Sequence, residues 1–460
     1  MALSAAIEWD VRTTGADTNG GGFKAGAAGS DYSQQNAAQK SGADLTMHAI
    51  TNTKVLPVVA GVAAADVGNV VQITAGTNWT PGWYEITAQD GTYWTLDRSP
   101  AAAGEANLGT YAMGGALATP GKAGGAANVN FQTIHIKSGV TYAIAAGAAN
   151  VSGQRLAPTN RIAIIGYQTT HLDLAATPVL QASASLSAAI ITNGVGGSIQ
   201  VVNIECDGNN LASTRGFADG GVNPTNWILC IARNCTDSGF FGGHAYRCLA
   251  TGCTTAGAGF NVNGALGTAI GCRATANSVA GIRSGEAIFC VADANTGAST
   301  DGFAMTNIFG HRHVGCVAYN NGRHGFGGDM RSAIFSSCLA ISNAGYGWSF
   351  DSTGYPTIVF EDCAAYNNTS GVTSGAALAL VINAIAALTG NPFTNAAAGD
   401  FTLNNTAGAG AACRSVGWPG AIGFMAATGY ADIGAYRHQD PAGGGGGLLT
   451  HRGMAGGFNG

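Results

Sequence analysis

Charge is scarce in this chain. Only 45 of its 460 residues are charged, 25 acidic and 20 basic, or 10%, against the ~25% usual in soluble domains. The net charge of −5 comes without any Lys/Arg-rich block, which argues against nucleic acid or anionic lipid as a partner. Long apolar runs are missing too: the longest, Ala376 to Leu388, is broken by Asn383 and is too short to span a bilayer. Met1 to Trp9 has neither a basic start nor an apolar stretch of signal-peptide length, so synthesis and folding in a cytoplasm, without a signal peptide, is the expectation. Eleven cysteines is an odd number; a complete disulfide framework is impossible and a reducing compartment is expected. What the chain does have is an apolar fraction of 46%, which excludes disorder, and 72 glycines. Those glycines keep no period of three, which excludes collagen.

The glycines belong to a repeat. Seven segments carry Cys-x-Ala, beginning at Cys230, Cys248, Cys272, Cys290, Cys316, Cys338 and Cys363. Five residues after each cysteine stand Cys235, Cys253, Asn277, Asn295, Asn321, Asn343 and Asn368 in turn. A glycine with a bulky apolar residue then follows: Gly239-Phe240, Gly259-Phe260, Gly281-Ile282, Gly302-Phe303, Gly325-Phe326, Gly347-Trp348 and, more weakly, Gly371-Val372. Helical solenoids would show Leu-rich periods of 3.6, which are absent. Each unit reads instead as short strands: Cys-x-Ala alternates inward and outward, the Asn turns a corner, and Gly with an aromatic opens the next strand. Such coils stacked along one axis make a parallel β-helix, with identical slots ~4.8 Å apart. The prediction is an inner cysteine ladder, a corner ladder of asparagines satisfying one another, and an aromatic stack. Ile204-x-Cys206 with Asn209, then Ile134 to Tyr142 and Arg161 to Tyr167, look like earlier and less regular coils.

On these residues, over roughly 126 to 405, the chain resembles the right-handed parallel β-helix superfamily of pectate lyases and phage tailspikes. Asn391-Pro392-Phe393, Gly399 to Leu403 and Asp432 to Tyr436 are similar to the exit segment of many bacterial and phage members. The expected fold is therefore all-β, a right-handed parallel β-helix over 126–405. A small β domain for capping or attachment is expected over 1–125, where Val70 to Ile73, Gly82 to Thr87 and Tyr93 to Leu96 are β-branched and aromatic runs. Trp79, Trp83 and Trp94 form its local core or an attachment surface. Residues 406–460 make an exit segment and a Gly-rich tail, with 441–460 expected to dock against a neighbouring subunit or another virion protein.

Several residue patterns invite a chemical reading. Cys230/Cys235 with Cys248/Cys253 have the spacing of a four-thiolate zinc site, but later coils replace the second cysteine with Asn while keeping the first. The ladder explains them better, and no metal or cofactor is assigned. The resemblance implies a groove on the outer face in which acidic groups would act on polysaccharide. Counting four residues from the Gly of each Gly-aromatic pair puts Asp329 and Asp351 in one slot of consecutive coils, ~5 Å apart, as a candidate catalytic pair. His324, Arg331 and His311-Arg312-His313 lie nearby in sequence as cations that could tolerate two stacked acids. The alternative is two solvated turn residues.

The charge-poor exterior implies surfaces covered by symmetry mates. The expectation is a phage-type virion structural protein, a tailspike, fibre or capsid-decorating component located in the virion. It would be a homo-oligomer, a trimer by the fold's habit, with other virion proteins held through 1–125 and 441–460 and host polysaccharide as a candidate ligand. The alternatives are a polysaccharide lyase or glycosidase of the same fold, or a bacterial surface adhesin.

Overall fold

A computed structural model describes residues 3–436, apart from 5, 103–106, 128–130, 145–160, 187–188, 194–197, 220–224, 255–256, 263–266, 306–309, 329–331, 351–356, 376–377, 382–384, 415 and 417–431. The chain divides into two compact units, 1–249 and 250–460.

In the second unit each coil gives one strand to each of three parallel sheets. Glu286–Ile288, Val291–Asp293 and Asp301–Met305 make one such coil. It pairs in register with the next, His311–Val314, Val317–Tyr319 and Phe326–Gly328. Strands of three to five residues suffice because every coil is hydrogen-bonded to its neighbours on both sides. The protein is an all-β, right-handed parallel β-helix.

The repeat slots are coupled by packing. Asn277, Asn295, Asn321, Asn343 and Asn368 are joined in series, each side-chain N–H donating to the next amide oxygen at 2.8–3.0 Å. The other amide proton goes to a carbonyl of the preceding coil, as from Asn321 to Ala292 at 3.0 Å. The glycine slot follows from this: a Cβ on Gly302 would stand 2.6 Å from Asn321 Nδ2 and 2.8 Å from the Gly325 carbonyl oxygen. Only glycine lets the strand lie on the amide ladder.

The corners need a correction to the sequence reading, which placed the turn at the Asn itself. The left-handed residue is the one before: Ala276, Ala294, Asn320, Ser342 and Asn367 have φ of 51–55°. The same device precedes the cysteines, at Phe289, Ser337 and Asp362, with φ of 49–55°. A one-residue left-handed turn bends the chain from one sheet to the next and leaves the following side chain inside the coil, where an Asn amide is satisfied by its neighbours in the ladder and a backbone carbonyl. Non-glycine residues in this conformation cost about 1 kcal/mol each, and stacking on two neighbours holds them there.

Because Asn321 bonds to the coils on both sides, Asn321→Ala leaves the Asn295 side-chain N–H without its acceptor and breaks the series. The expected loss is about 2 kcal/mol in equilibrium unfolding; a change below about 0.5 kcal/mol would mean that the ladder carries no stability.

All eleven cysteines are buried and free. Those of the Cys-x-Ala slots point inward, with sulfurs near carbonyls of the preceding coil, as Cys290 Sγ to Ala269 O at 3.2 Å. Beside them run two aromatic files: Phe303, Phe326 and Trp348 stack at 4.7 and 5.5 Å, and His313, Phe335 and Phe360 stack at 5.4 Å.

After the last coils the chain turns back over its own sheet. The antiparallel pair Phe393–Asn395 and Asp400–Leu403, with Leu388, Cys413 and Ile433, buries the outward residues Val291, Val317, Leu339 and Ala364. Arg273 grips Asp293 through two hydrogen bonds of 2.9 Å and lies over the Phe401 ring. Part of the charge-poor exterior is thus covered by the chain itself. The glycine-rich tail, 441–460, lies outside the described residues.

In the first unit, Ile7–Val11 opens the helical stack. It pairs antiparallel with Gly22–Lys24 and parallel with Thr133–Lys137, which in turn pairs with Arg161–Tyr167. Between these strands the chain makes a closed antiparallel barrel of Lys40–Met47, Lys54–Pro57, Val70–Ala75, Gly82–Gln89, Trp94–Leu96 and Gly109–Met113. Its core holds Trp79 and Trp94. Trp94 Nε1 donates to Asp66 at 2.8 Å, and Lys40 also meets that carboxylate at 2.6 Å. Trp83 instead packs edge-on against Trp9 of the first coil at 6.1 Å. Among the described residues no helix is long and apolar enough to cross a membrane.

Candidate functional site

Alternation builds a polar site on the first coil. In Ile7–Val11 the residues Ile7, Trp9 and Val11 point inward, so Glu8 and Asp10 point outward. In Thr133–Lys137 the same alternation turns His135 outward, directly opposite Asp10. Tyr167 ends the next strand, and a turn closed by the Gln168 N–H donating to the Asp173 carbonyl places His171 over this face.

Asp10 is fully buried and accepts from three partners: Arg12 Nε at 2.7 Å, the Tyr167 hydroxyl at 2.6 Å and His171 Nε2 at 2.8 Å. Arg12 also donates to the Tyr167 hydroxyl at 3.0 Å. The His171 ring lies flat on His135, with centroids 3.6 Å apart and planes within 4°. Burial opposes protonation of His171, but the hydrogen bonds and charges of Asp10 and Glu8 outweigh it and push its pKa up to about 9. Burial and then the His171 charge pull His135 down to about 4. A protonated imidazole thus lies on a neutral one at neutral pH. Glu8, hydrogen-bonded to His171, is held below the usual carboxylate range against its own partial burial. Burial, followed by the charge and the hydrogen bond of Asp10, drives the Tyr167 hydroxyl upward, so it stays a donor.

Sequence reasoning missed this cluster. The signal was present in Ile-Glu-Trp-Asp-Val and Ile-His-Ile-Lys, two strands of matched alternation, but the 122 residues between them hid their pairing. The site residues that sequence did single out fall elsewhere. Asp329, Asp351 and Arg331 lie outside the described residues. The cations expected around them are engaged: Arg312 meets Glu286 at 3.1 Å, His324 Nδ1 accepts from the Tyr346 N–H, and His313 is inside the aromatic file.

One more surface stands out. On the second unit, the outer face of the sheet containing His311–Val314 presents two files in register. One runs Thr268, Glu286, Arg312, Ile334 and Val359; the other runs Ile270, Ile288, Val314, Ser336 and Glu361. Ile334 is 41% exposed. A shallow depression of about 280 Å³ lies along it, edged by Arg312, Ser332, Ile334, Thr357 and Val359.

The class of protein defined by these coils is the right-handed parallel β-helix. Among solved structures the chain is similar to pectate lyase Pel9A, at 16% identity and a TM-score of 0.41, over 70% of this chain and 92% of that one. It is also similar to the tailspike protein gp49 of Pseudomonas phage LKA1, at 12% identity and a TM-score of 0.26, over 80% of this chain and 65% of that one. The catalytic domain of a GH87 alpha-1,3-glucanase matches at 10% identity and a TM-score of 0.30, over 81% of this chain and 93% of that one. No protein-family model matches the chain, and no curated protein sequence does.

Proposed function

We propose that the chain is a structural β-helix component of a phage-type virion, a tailspike, fibre or capsid-decorating protein, which works as a homo-oligomer with trimer as the expected state. The supporting observation is the contrast between two outer faces of the second unit. The face carrying Val291, Val317 and Leu339 is buried by the chain's own exit segment. The face carrying Ile270, Ile288, Ile334 and Val359 leaves Ile334 exposed. A sheet face that sets Ile270, Ile288, Ile334 and Val359 beside the Glu286–Arg312 pair and Glu361 offers both apolar and charged contacts to a second copy of itself. Other virion proteins would be held through 1–125 and 441–460, and host polysaccharide is the ligand such a component would meet.

The double variant Ile334→Asp/Val359→Asp puts like charges on that face without entering the core. The assembled mass should fall to that of one 45.9 kDa chain with an unchanged circular dichroism spectrum. An assembly of undiminished mass would remove this face from the reading.

A second reading, cleavage of polysaccharide, is favoured by one observation: a half-exposed carboxylate, Glu8, hydrogen-bonded to the protonated His171. Under that reading Glu8→Gln stops release of oligosaccharides from a host glycan, and undiminished release discards it.

A further inference from the structure

Glu8, His135 and His171 come from three segments far apart in sequence and bring their donor atoms together; the His171 ring, flat on His135, has to tilt for both imidazoles to meet one ion. Glu8 Oε2 stands 3.4 Å from His171 Nδ1 and 3.7 Å from His135 Nε2, and the three donor atoms all lie within 4.8 Å of one another. A tetrahedral ion with bonds of about 2.0–2.1 Å separates its ligands by about 3.3–3.4 Å. The two contacts to Glu8 are therefore close to ligand spacing already.

Two independent observations point to a ligand. His135 is 2% exposed, and neither of its ring nitrogens has a hydrogen-bond partner. A buried imidazole left so is unfavourable unless something fills the gap. His171, in turn, presents Nδ1 to Glu8 while its Nε2 is fixed by Asp10, which Arg12 and Tyr167 hold in place. A carboxylate behind the far nitrogen is the arrangement that orients an imidazole for a metal. Glu8 keeps its side chain 38% exposed, which leaves an entry path and room for a solvent ligand.

We propose that Glu8, His135 and His171 bind one divalent transition-metal ion of the zinc(II) type, with water completing a tetrahedron. Two imidazoles with one carboxylate suit such an ion and disfavour calcium or magnesium, which take oxygen ligands. The ion would staple the opening strand Ile7–Val11 to Thr133–Lys137 and to the turn after Tyr167.

The test uses the full chain, stripped of metal and titrated with cobalt(II) and then zinc(II). One equivalent of cobalt should give visible d–d bands without a thiolate charge-transfer band, zinc should displace it, and the thermal midpoint should rise with metal. Glu8→Gln, at a half-exposed position, should weaken binding by more than the roughly 10–100-fold that a lost outer partner costs, while Cys206→Ser leaves it unchanged. His135→Ala should abolish binding; if that variant does not fold, the Glu8→Gln affinity decides. Absence of a bound equivalent, a thiolate band, or undiminished affinity in Glu8→Gln would each overturn the assignment.

Discussion

Phe326→Ala should destabilise the second unit by about 4 kcal/mol, within the range found for deleting a buried phenylalanine. Phe326 is fully buried and stands where the two aromatic files meet. It stacks between Phe303 and Trp348 at 4.7 and 5.5 Å and meets Phe335 edge-on at 5.4 Å and His313 at 5.9 Å. The cavity left by alanine cannot collapse, because the backbones on either side are fixed by parallel ladders to Asp301–Met305 and Tyr346–Phe350. For a unit of this size the loss corresponds to roughly 10 °C or more in thermal midpoint. A shift of only one or two degrees would show that the file is not packed as described.

Acid should unfold the same region through His313. Its ring is fully enclosed by Phe303, Phe326 and Phe335, and neither nitrogen has a hydrogen-bond partner. Burial, with a smaller contribution from His311, lowers its pKa from 6.5 to about 3. Between those values the unfolded chain holds a proton that the folded chain refuses. Stability therefore rises with pH across this window and is lost as pH falls through it. At about 1.4 kcal/mol per pH unit, the loss between pH 6.5 and 4 comes to about 3 kcal/mol. His313→Leu should flatten the profile of unfolding free energy against pH by close to one proton over that range. A variant with the parent's slope would mean that another group carries the acid sensitivity.

The fold was legible in the sequence because a solenoid repeats its physics in every coil. Cysteine, asparagine and glycine recur in the same order in each coil, the asparagine always five residues after the cysteine, since each contacts its own equivalent one coil away, as Asn321 does Asn343 and Gly302 does Gly325. What was not legible is whatever happens once. The exit segment covers Val317 and Leu339 through Phe393 and Phe401, a match of surfaces that no period announces. The left-handed corners are invisible for a different reason: Ala276, Phe289 and Asp362 share a backbone conformation and no side-chain property. The first-coil site was missed because Ile7–Val11 joins Thr133–Lys137 across an inserted barrel. Asp10 and His135 become neighbours only once that pairing is known. Asp329 and Asp351, singled out by spacing, lie outside the described residues.

The central functional claim is that this chain assembles with copies of itself. Light scattering on the purified full-length protein, across a wide range of concentrations at neutral pH, tests it most directly. The expected result is a particle whose mass is a whole multiple of 45.9 kDa, three chains being the expected number. A stable species of 45.9 kDa at every concentration would contradict it.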